Sequence, residues 1–141
     1  GERHKADYTP DGRLFITFRS IERGQKAADN APLGNRNGWM SEGWVAWVGT
    51  YDDLKNGTEG QYRIKLAHTY LKYQTEKEYA ANGDTGYCGN VVLDDGTIVT
   101  TSYGRFDTEK RNKDFTLKTY IASKRINLKD IDSLASWLNN N

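Results

Sequence analysis

An Asp-Gly pair followed by β-branched and aromatic residues occurs twice in this chain. The first copy is Asp11–Phe18 and the second is Asp95–Ser102. Asp-Gly accepts the positive φ angle of a tight turn, and the residues after it favour extended backbone. Each copy therefore predicts a turn leading into a buried strand, and the repetition predicts an all-β fold built from similar units.

Size and charge limit the class of protein. The 141 residues predict one domain, and the 20 basic and 19 acidic residues give a net charge of +1. This near balance argues against a nucleic-acid partner. No apolar run approaches the roughly 20 residues of a membrane span, so none is expected. Cys88 is the single cysteine, which rules out an internal disulfide, and we predict neither a cofactor nor a metal site.

Hydrophobic periodicity predicts the remaining elements. Strands are expected at residues 13–19, 43–51, 62–70, 90–93, 97–103 and 115–124. Polar loops that could assemble a binding surface are expected at residues 24–38, 52–60, 75–85 and 106–114. Leucines and isoleucine at helical spacing predict a short C-terminal helix at 127–138, with Asn127 as its N-cap.

The repeated unit of turn, strand, loop and strand predicts the architecture. Units of roughly 40 to 50 residues with several strands are typical of propeller blades. We therefore expect a partial β-propeller, with strand repeats over residues 8–126 of a single domain spanning 1–141, and a β-sandwich as the alternative. About two and a half such units would leave strand edges exposed, so the chain is expected to be a fragment, a shortened relative or a self-associating homo-oligomer.

The Asp-Gly strands and the Gly86-Tyr87-Cys88 turn resemble the C-terminal blades of sialidase-like glycoside hydrolases with BNR repeats, also called Asp-box repeats. The resemblance covers residues 2 to about 126. These enzymes are six-bladed propellers whose later blades carry a Glu before a D-G-R-L strand, an Arg closing it, and a Gly-Tyr-Ser turn before a D-G-T-I strand. Glu2, Arg19 and Tyr87 match these positions. The resemblance implies a glycan or oligosaccharide substrate and a secreted or periplasmic location.

The resemblance also implies a mechanism. A sialic acid carries a carboxylate beside its anomeric carbon, and a neutral tyrosine nucleophile avoids the repulsion that an anionic one would meet. Tyr87 would attack, Glu2 would take its proton, and Arg19 would hold the carboxylate, with Arg63 as a looser match for a second clamp. Cys88 departs from the usual Ser, and the acid/base Asp belongs to N-terminal blades that this chain lacks.

Three further residues are candidates for contacting a sugar. Trp39 lies in the glycine-rich loop region, where an aromatic ring could stack on a pyranose. Arg3 and His4 belong to a basic cluster that could face an acidic sugar, although a charge run is more often solvated. Trp44 and Trp47 are more simply explained as core residues.

Three functions follow as hypotheses. The first is a sialidase-type exo-hydrolase acting on terminal acidic sugars, with this chain contributing the nucleophile half of the site. The second is a non-catalytic glycan-binding or structural propeller segment, and the third is a propeller enzyme acting on uronic-acid polysaccharides. An enzyme needs the Tyr87 hydroxyl and the Glu2 carboxylate within hydrogen-bond reach, whereas a binding module needs only aromatic and arginine surface.

Overall fold

The computed structural model describes residues 2–23, 39–70 and 85–140. These ranges form two antiparallel sheets, a first sheet ordered β1-β2-β3-β4 and a second sheet ordered β5-β6-β7, with no closed barrel. The all-β prediction is confirmed. The elements are β1 (Glu2–Tyr8), β2 (Leu14–Arg23), β3 (Trp39–Gly49), α1 (Tyr51–Asn56), β4 (Tyr62–Ala67), β5 (Gly86–Val92), β6 (Ile98–Gly104), β7 (Tyr120–Ile126) and α2 (Leu128–Asn139).

Three elements differ from the sequence-based prediction. The predicted strand 115–124 begins only at Tyr120, because Phe115 and Thr116 belong to a hydrogen-bonded turn with Asn112. Strand β1 was not predicted, because its mostly charged residues show no clear alternation, and it forms by pairing with β2. Helix α1 replaces the start of the predicted loop 52–60, because the Thr50 and Asp53 side chains cap each other's backbone and Gly57 ends the helix in a left-handed conformation. The predicted C-terminal helix is present with Asn127 as N-cap. The predicted loop 24–38 lies outside the described residues, and so do residues 75–84 of the predicted loop 75–85.

The Asp-Gly repeat of the sequence is a repeat of structure. In the β1–β2 turn, Gly12 N donates to Thr9 O at 2.9 Å and Thr9 N donates to Arg13 O at 2.8 Å. The β5–β6 turn makes the same two bonds at the same lengths. Both hairpins also carry a β-bulge near the start of their first strand, after Glu2 and after Gly86. The two turns and the two bulges thus occupy equivalent positions.

The two sheets share one hydrophobic core. Phe15, Trp44 and Val48 come from the first sheet, Ile98 comes from the second, and Leu128 of α2 adds to them. The two Asp-Gly repeats do not bury the same face of the strand in this core. The position in β6 that corresponds to Phe15 is the half-buried Val99, which alternates with the buried Ile98 and so points to the outside. The repeats therefore stack head to tail, which leaves two chemically different outer faces.

A buried hydrogen-bond network links the two sheets around Asn90. Its Oδ1 accepts hydrogen bonds from Thr17 Oγ1 at 3.0 Å and Thr100 Oγ1 at 2.8 Å. Its Nδ2 donates to Lys5 O at 3.0 Å. One side chain thereby joins β1 and β2 of the first sheet to β5 and β6 of the second.

Arg13 ties helix α2 to the first sheet. Its Nη1 and Nη2 donate to Asp132 Oδ1 and Oδ2 at 2.9 and 3.0 Å. Tyr62 Oη donates to Asp132 Oδ1 at 2.5 Å. The bonds from Arg13 lower the pKa of the Asp132 carboxyl, and the Tyr62 bond adds to this lowering. Burial, aided by Asp132, raises the pKa of Tyr62 to about 12.

We expect Asn90→Leu to lower the free energy of unfolding by about 2–3 kcal/mol, because two buried hydroxyls and a carbonyl lose their partner. Ser123→Ala, at an exposed position of β7, should change it by less than about 0.5 kcal/mol. Urea unfolding followed by tryptophan fluorescence measures both variants. Equal, small effects of the two substitutions would show that the network does not stabilise the fold.

We expect Asp132→Asn to lower the free energy of unfolding by roughly 1 kcal/mol at neutral pH, because the ion pair is partly exposed to solvent. The pKa of Asp132 is lower in the folded than in the unfolded chain. Its contribution is therefore present above about pH 4 and lost as the pH falls through the folded-state pKa. Unfolding at pH 7, 4 and 3 should show the gap between wild type and variant closing on acidification, and a constant gap would contradict the assignment.

Candidate functional site

The outer face of the second sheet carries an exposed aromatic and apolar patch. Along β6 the buried and half-buried side chains alternate, so Tyr103 points outward. Ile121 of β7 lies opposite Tyr103 in the register and is 78% exposed. Tyr87 of β5 is 70% exposed. We call the surface formed by Arg3, Tyr87, Tyr103 and Ile121 the Tyr87 platform.

Three side chains of the platform are stacked. The rings of Tyr87 and Tyr103 lie 6.2 Å apart between centroids at an interplanar angle of 26°. The guanidinium carbon of Arg3 lies 4.0 Å from the centroid of the Tyr87 ring. At this distance the cation is attracted by the negative face of the ring. The structure therefore brings together Tyr87 and Arg3, which the sequence had suggested for different roles.

The two β-bulges create this contact. Arg3 has a φ of 58° and Tyr87 has a φ of 49°, at equivalent positions of the two hairpins. Such angles cost a non-glycine residue about 1–2 kcal/mol. Gly86 also has a positive φ, and a Cβ built on it would lie 2.6 Å from Cδ of Arg3. The absence of a side chain at Gly86 therefore lets Arg3 reach Tyr87.

Two of the expected site residues are described only in their backbone. Glu2 pairs with Arg19 across β1 and β2, and Trp39 pairs with Arg23 at the start of β3. The side chains of Glu2 and Trp39 lie outside the described part of the chain. The hydrogen bond between Glu2 and Tyr87 that catalysis would require therefore stays a prediction.

The other arginines and His4 lie on the first sheet. Arg19 is opposite the core residue Trp44 in the register, which puts it on the inner face. Arg63 is opposite Trp47 on the outer face and forms an ion pair with Glu59 at 3.7 Å. Because they lie on opposite faces of one sheet, Arg19 and Arg63 cannot hold the same carboxylate.

His4 and Arg63 do come together. They line a shallow pocket of about 290 Å³ on the outer face of the first sheet, with Phe18 and Trp47 as its apolar wall. The His4 and Phe18 rings lie 5.4 Å apart between centroids. The candidate residues are thus divided between this pocket and the Tyr87 platform.

Tyr103 is a platform residue that the sequence analysis did not name. The sequence signal for Tyr103 was the alternation of the D-G-T-I strand, in which every second residue faces out, but only the stacking of the sheets decides which set of residues is buried.

Cys88, next to Tyr87 in β5, points into the core, and burial raises the pKa of its thiol.

Two features of residues 2–23, 39–70 and 85–140 bear on the kind of site. Within those ranges, no group of three or more His, Cys, Asp or Glu side chains is placed to hold a metal ion. Neither of the helices found there is long and apolar enough to cross a membrane.

Phe115 occupies a strained position in a third copy of the hairpin turn. Its N donates to Asn112 O at 3.0 Å, and Asn112 N donates to Thr116 O at 2.7 Å. The first two copies have glycine at this place, whereas Phe115 has a φ of 60° and is 79% exposed. Its side chain therefore adds strain with little burial.

We expect Phe115→Gly to raise the free energy of unfolding by about 1 kcal/mol, because the left-handed conformation is relieved and little packing is lost. Gly12→Ala should lower it by about the same amount, since φ is 84° there and a Cβ would meet no atom within 4 Å. Urea unfolding of both variants tests the opposite signs. A destabilised Phe115→Gly would mean that the exposed ring makes a contact worth more than the strain.

Comparison with known proteins adds no relative to this picture. No family model matches the sequence, and no curated protein or solved structure matches it either.

Proposed function

We propose that this protein binds an acidic glycan on the Tyr87 platform. The observation that carries the proposal is the exposed stack in which the Arg3 guanidinium lies 4.0 Å from the Tyr87 ring centroid. Two neighbouring non-glycine residues hold costly backbone angles to make this contact. Strain of this kind is concentrated at functional positions of proteins.

The chemistry of the stack suits a sugar that carries a carboxylate. Arg3 covers one face of the Tyr87 ring, but the side chain is still 70% exposed, so its remaining apolar surface can contact the C–H groups of a pyranose and its hydroxyl can hydrogen-bond the ring substituents. A guanidinium stacked on an aromatic face keeps its N–H donors in its own plane, where they can bind a carboxylate through two parallel bonds. In the described part of the chain, no carboxylate forms an ion pair with Arg3.

The sialidase-like propeller expected from the sequence remains part of this proposal. Two features support it. The antiparallel units stack head to tail, as successive blades of a propeller do, and the first strands of the two units, β1 and β5, contact each other. A secreted or periplasmic location belongs to the same proposal and rests on the resemblance alone.

A second candidate is hydrolysis of a sialoside with Tyr87 as the nucleophile. It is favoured by the accessibility of Tyr87, which is 70% exposed, next to an arginine that can hold the substrate carboxylate. The reaction also needs a base within hydrogen-bond reach of the Tyr87 hydroxyl, a role that the resemblance gives to Glu2.

Binding of a sialylated oligosaccharide, compared with its neutral parent sugar, tests the main proposal. We expect tighter binding of the sialylated form, and a loss of up to about tenfold in Tyr87→Ala, because an aromatic stacking contact is worth roughly 0.5–1.5 kcal/mol and about 1.4 kcal/mol corresponds to tenfold in affinity. Arg3→Ala should remove the preference for the acidic sugar. Arg63→Ala is the matched control, because Arg63 is an exposed arginine of β4 that lies outside the Tyr87 platform. Unchanged affinity in both Tyr87→Ala and Arg3→Ala would sink the proposal.

Tyr87→Phe separates binding from hydrolysis, because the ring remains and the nucleophilic hydroxyl is lost. If the protein only binds, the variant should keep most of its glycan affinity, and neither protein should cleave a fluorogenic sialoside. Cleavage by the wild type that disappears in Tyr87→Phe would establish the second candidate. A parallel panel of uronic-acid oligosaccharides reports which acidic sugar is preferred.

A further inference from the structure

A second polar site lies where β6 continues into the segment that leads to β7. It is a pocket of about 580 Å³ whose described lining includes three cationic residues and no carboxylate. The residues that matter for its chemistry are Arg105, Lys110, Lys118 and Tyr120. The sequence predicted residues 106–114 as a charged loop that could help to assemble a binding surface, without naming a ligand for it.

The backbone brings two lysines together in this pocket. Lys118 N donates to Lys110 O at 2.8 Å, which sets the two residues beside each other on adjacent chain segments. Like charges placed in this way repel each other. Lys110 also lies 4.8 Å from the Tyr120 ring centroid and 3.7 Å from Asp107, but its side chain is 57% exposed, so this ion pair compensates little.

Arg105 adds a buried donor to the same pocket. Its Nε is buried and has no hydrogen-bond partner among the described residues. Its backbone is held in place, because Tyr70 N donates to Arg105 O at 2.9 Å. A buried donor is normally paired, so the Arg105 guanidinium keeps hydrogen-bonding capacity that the described residues do not use.

We propose that this pocket binds a phosphate or sulfate group. A tetrahedral oxyanion presents several acceptor oxygens at once and carries enough negative charge to offset three converging cations. It would accept hydrogen bonds from the Arg105 guanidinium and would separate the charges of Lys110 and Lys118. The proposal does not depend on the glycan site, because no residue of the Tyr87 platform lines this pocket.

The oxyanion has two sources, the free inorganic ion and an ester carried by a sugar. Calorimetric titration of the full chain with inorganic phosphate, inorganic sulfate, glucose 6-phosphate and glucose 6-sulfate distinguishes them, at an ionic strength kept constant with sodium chloride. We expect saturable binding of this class and none of acetate. Tighter binding of the esters identifies the sugar-linked group as the ligand, and equal affinity identifies the free ion.

Lys118→Gln should weaken binding by at least about tenfold, because it removes one charge-assisted contact. Lys124→Gln is the matched control, with the same change of charge at an exposed position of β7. In isotope-labelled protein, the Arg105 Nε signal should shift with the same saturation curve. Absence of saturable binding, or equal weakening by Lys118→Gln and Lys124→Gln, would overturn the proposal.

The variant Tyr87→Ala distinguishes the two proposed sites experimentally. It should weaken glycan binding at the platform and leave phosphate or sulfate binding unchanged. A protein that binds the oxyanion but no acidic glycan would therefore contradict the proposed function alone, and the reverse result would contradict only the pocket.

Discussion

The amide of Asn90 is the interaction on which the arrangement of the two sheets depends. It satisfies the hydroxyls of Thr17 and Thr100 and the carbonyl of Lys5 in an interior where water is excluded. Each of these groups would be costly to bury alone. Because the bonds are directional, a shift of one sheet against the other would break the two that cross between the sheets, to Thr17 and Lys5. Apolar contacts around Phe15 and Ile98 add stability but are less directional.

Because the repeats stack head to tail, the outer faces of the two sheets differ in how far they are covered by the rest of the chain. On the first sheet, the segment after α1 folds back over the outer face, and Trp47 Nε1 donates to Glu59 O at 2.8 Å. The face that carries Leu14 and Ile16 is thereby covered. On the second sheet, Tyr87 and Ile121 stay exposed. A repeated hairpin has thus produced one outer face that is partly covered by its own chain and one whose aromatic and apolar side chains stay exposed.

The candidate site shows how far sequence reasoning reaches. Tyr87 was singled out because a Gly-Tyr turn precedes an Asp-Gly strand, and its exposure next to Arg3 agrees with a role on the surface. Arg19 and Arg63 were predicted to hold one carboxylate together, yet the strand register places them on opposite faces of the first sheet. The parity of a residue along its strand is visible in sequence, but the face it occupies depends on the partner strand and on each bulge.

The sequence by itself determined the local features. Asp-Gly turns, strand alternation and the Asn127 cap depend on backbone preferences within a few residues, and all of them appear in the structure. Only the tertiary structure decided that β1 is a strand, that Arg3 stacks on Tyr87, and that Arg105, Lys110 and Lys118 converge on one pocket. These contacts join residues far apart in the chain, or segments without periodicity, so no local preference specifies them.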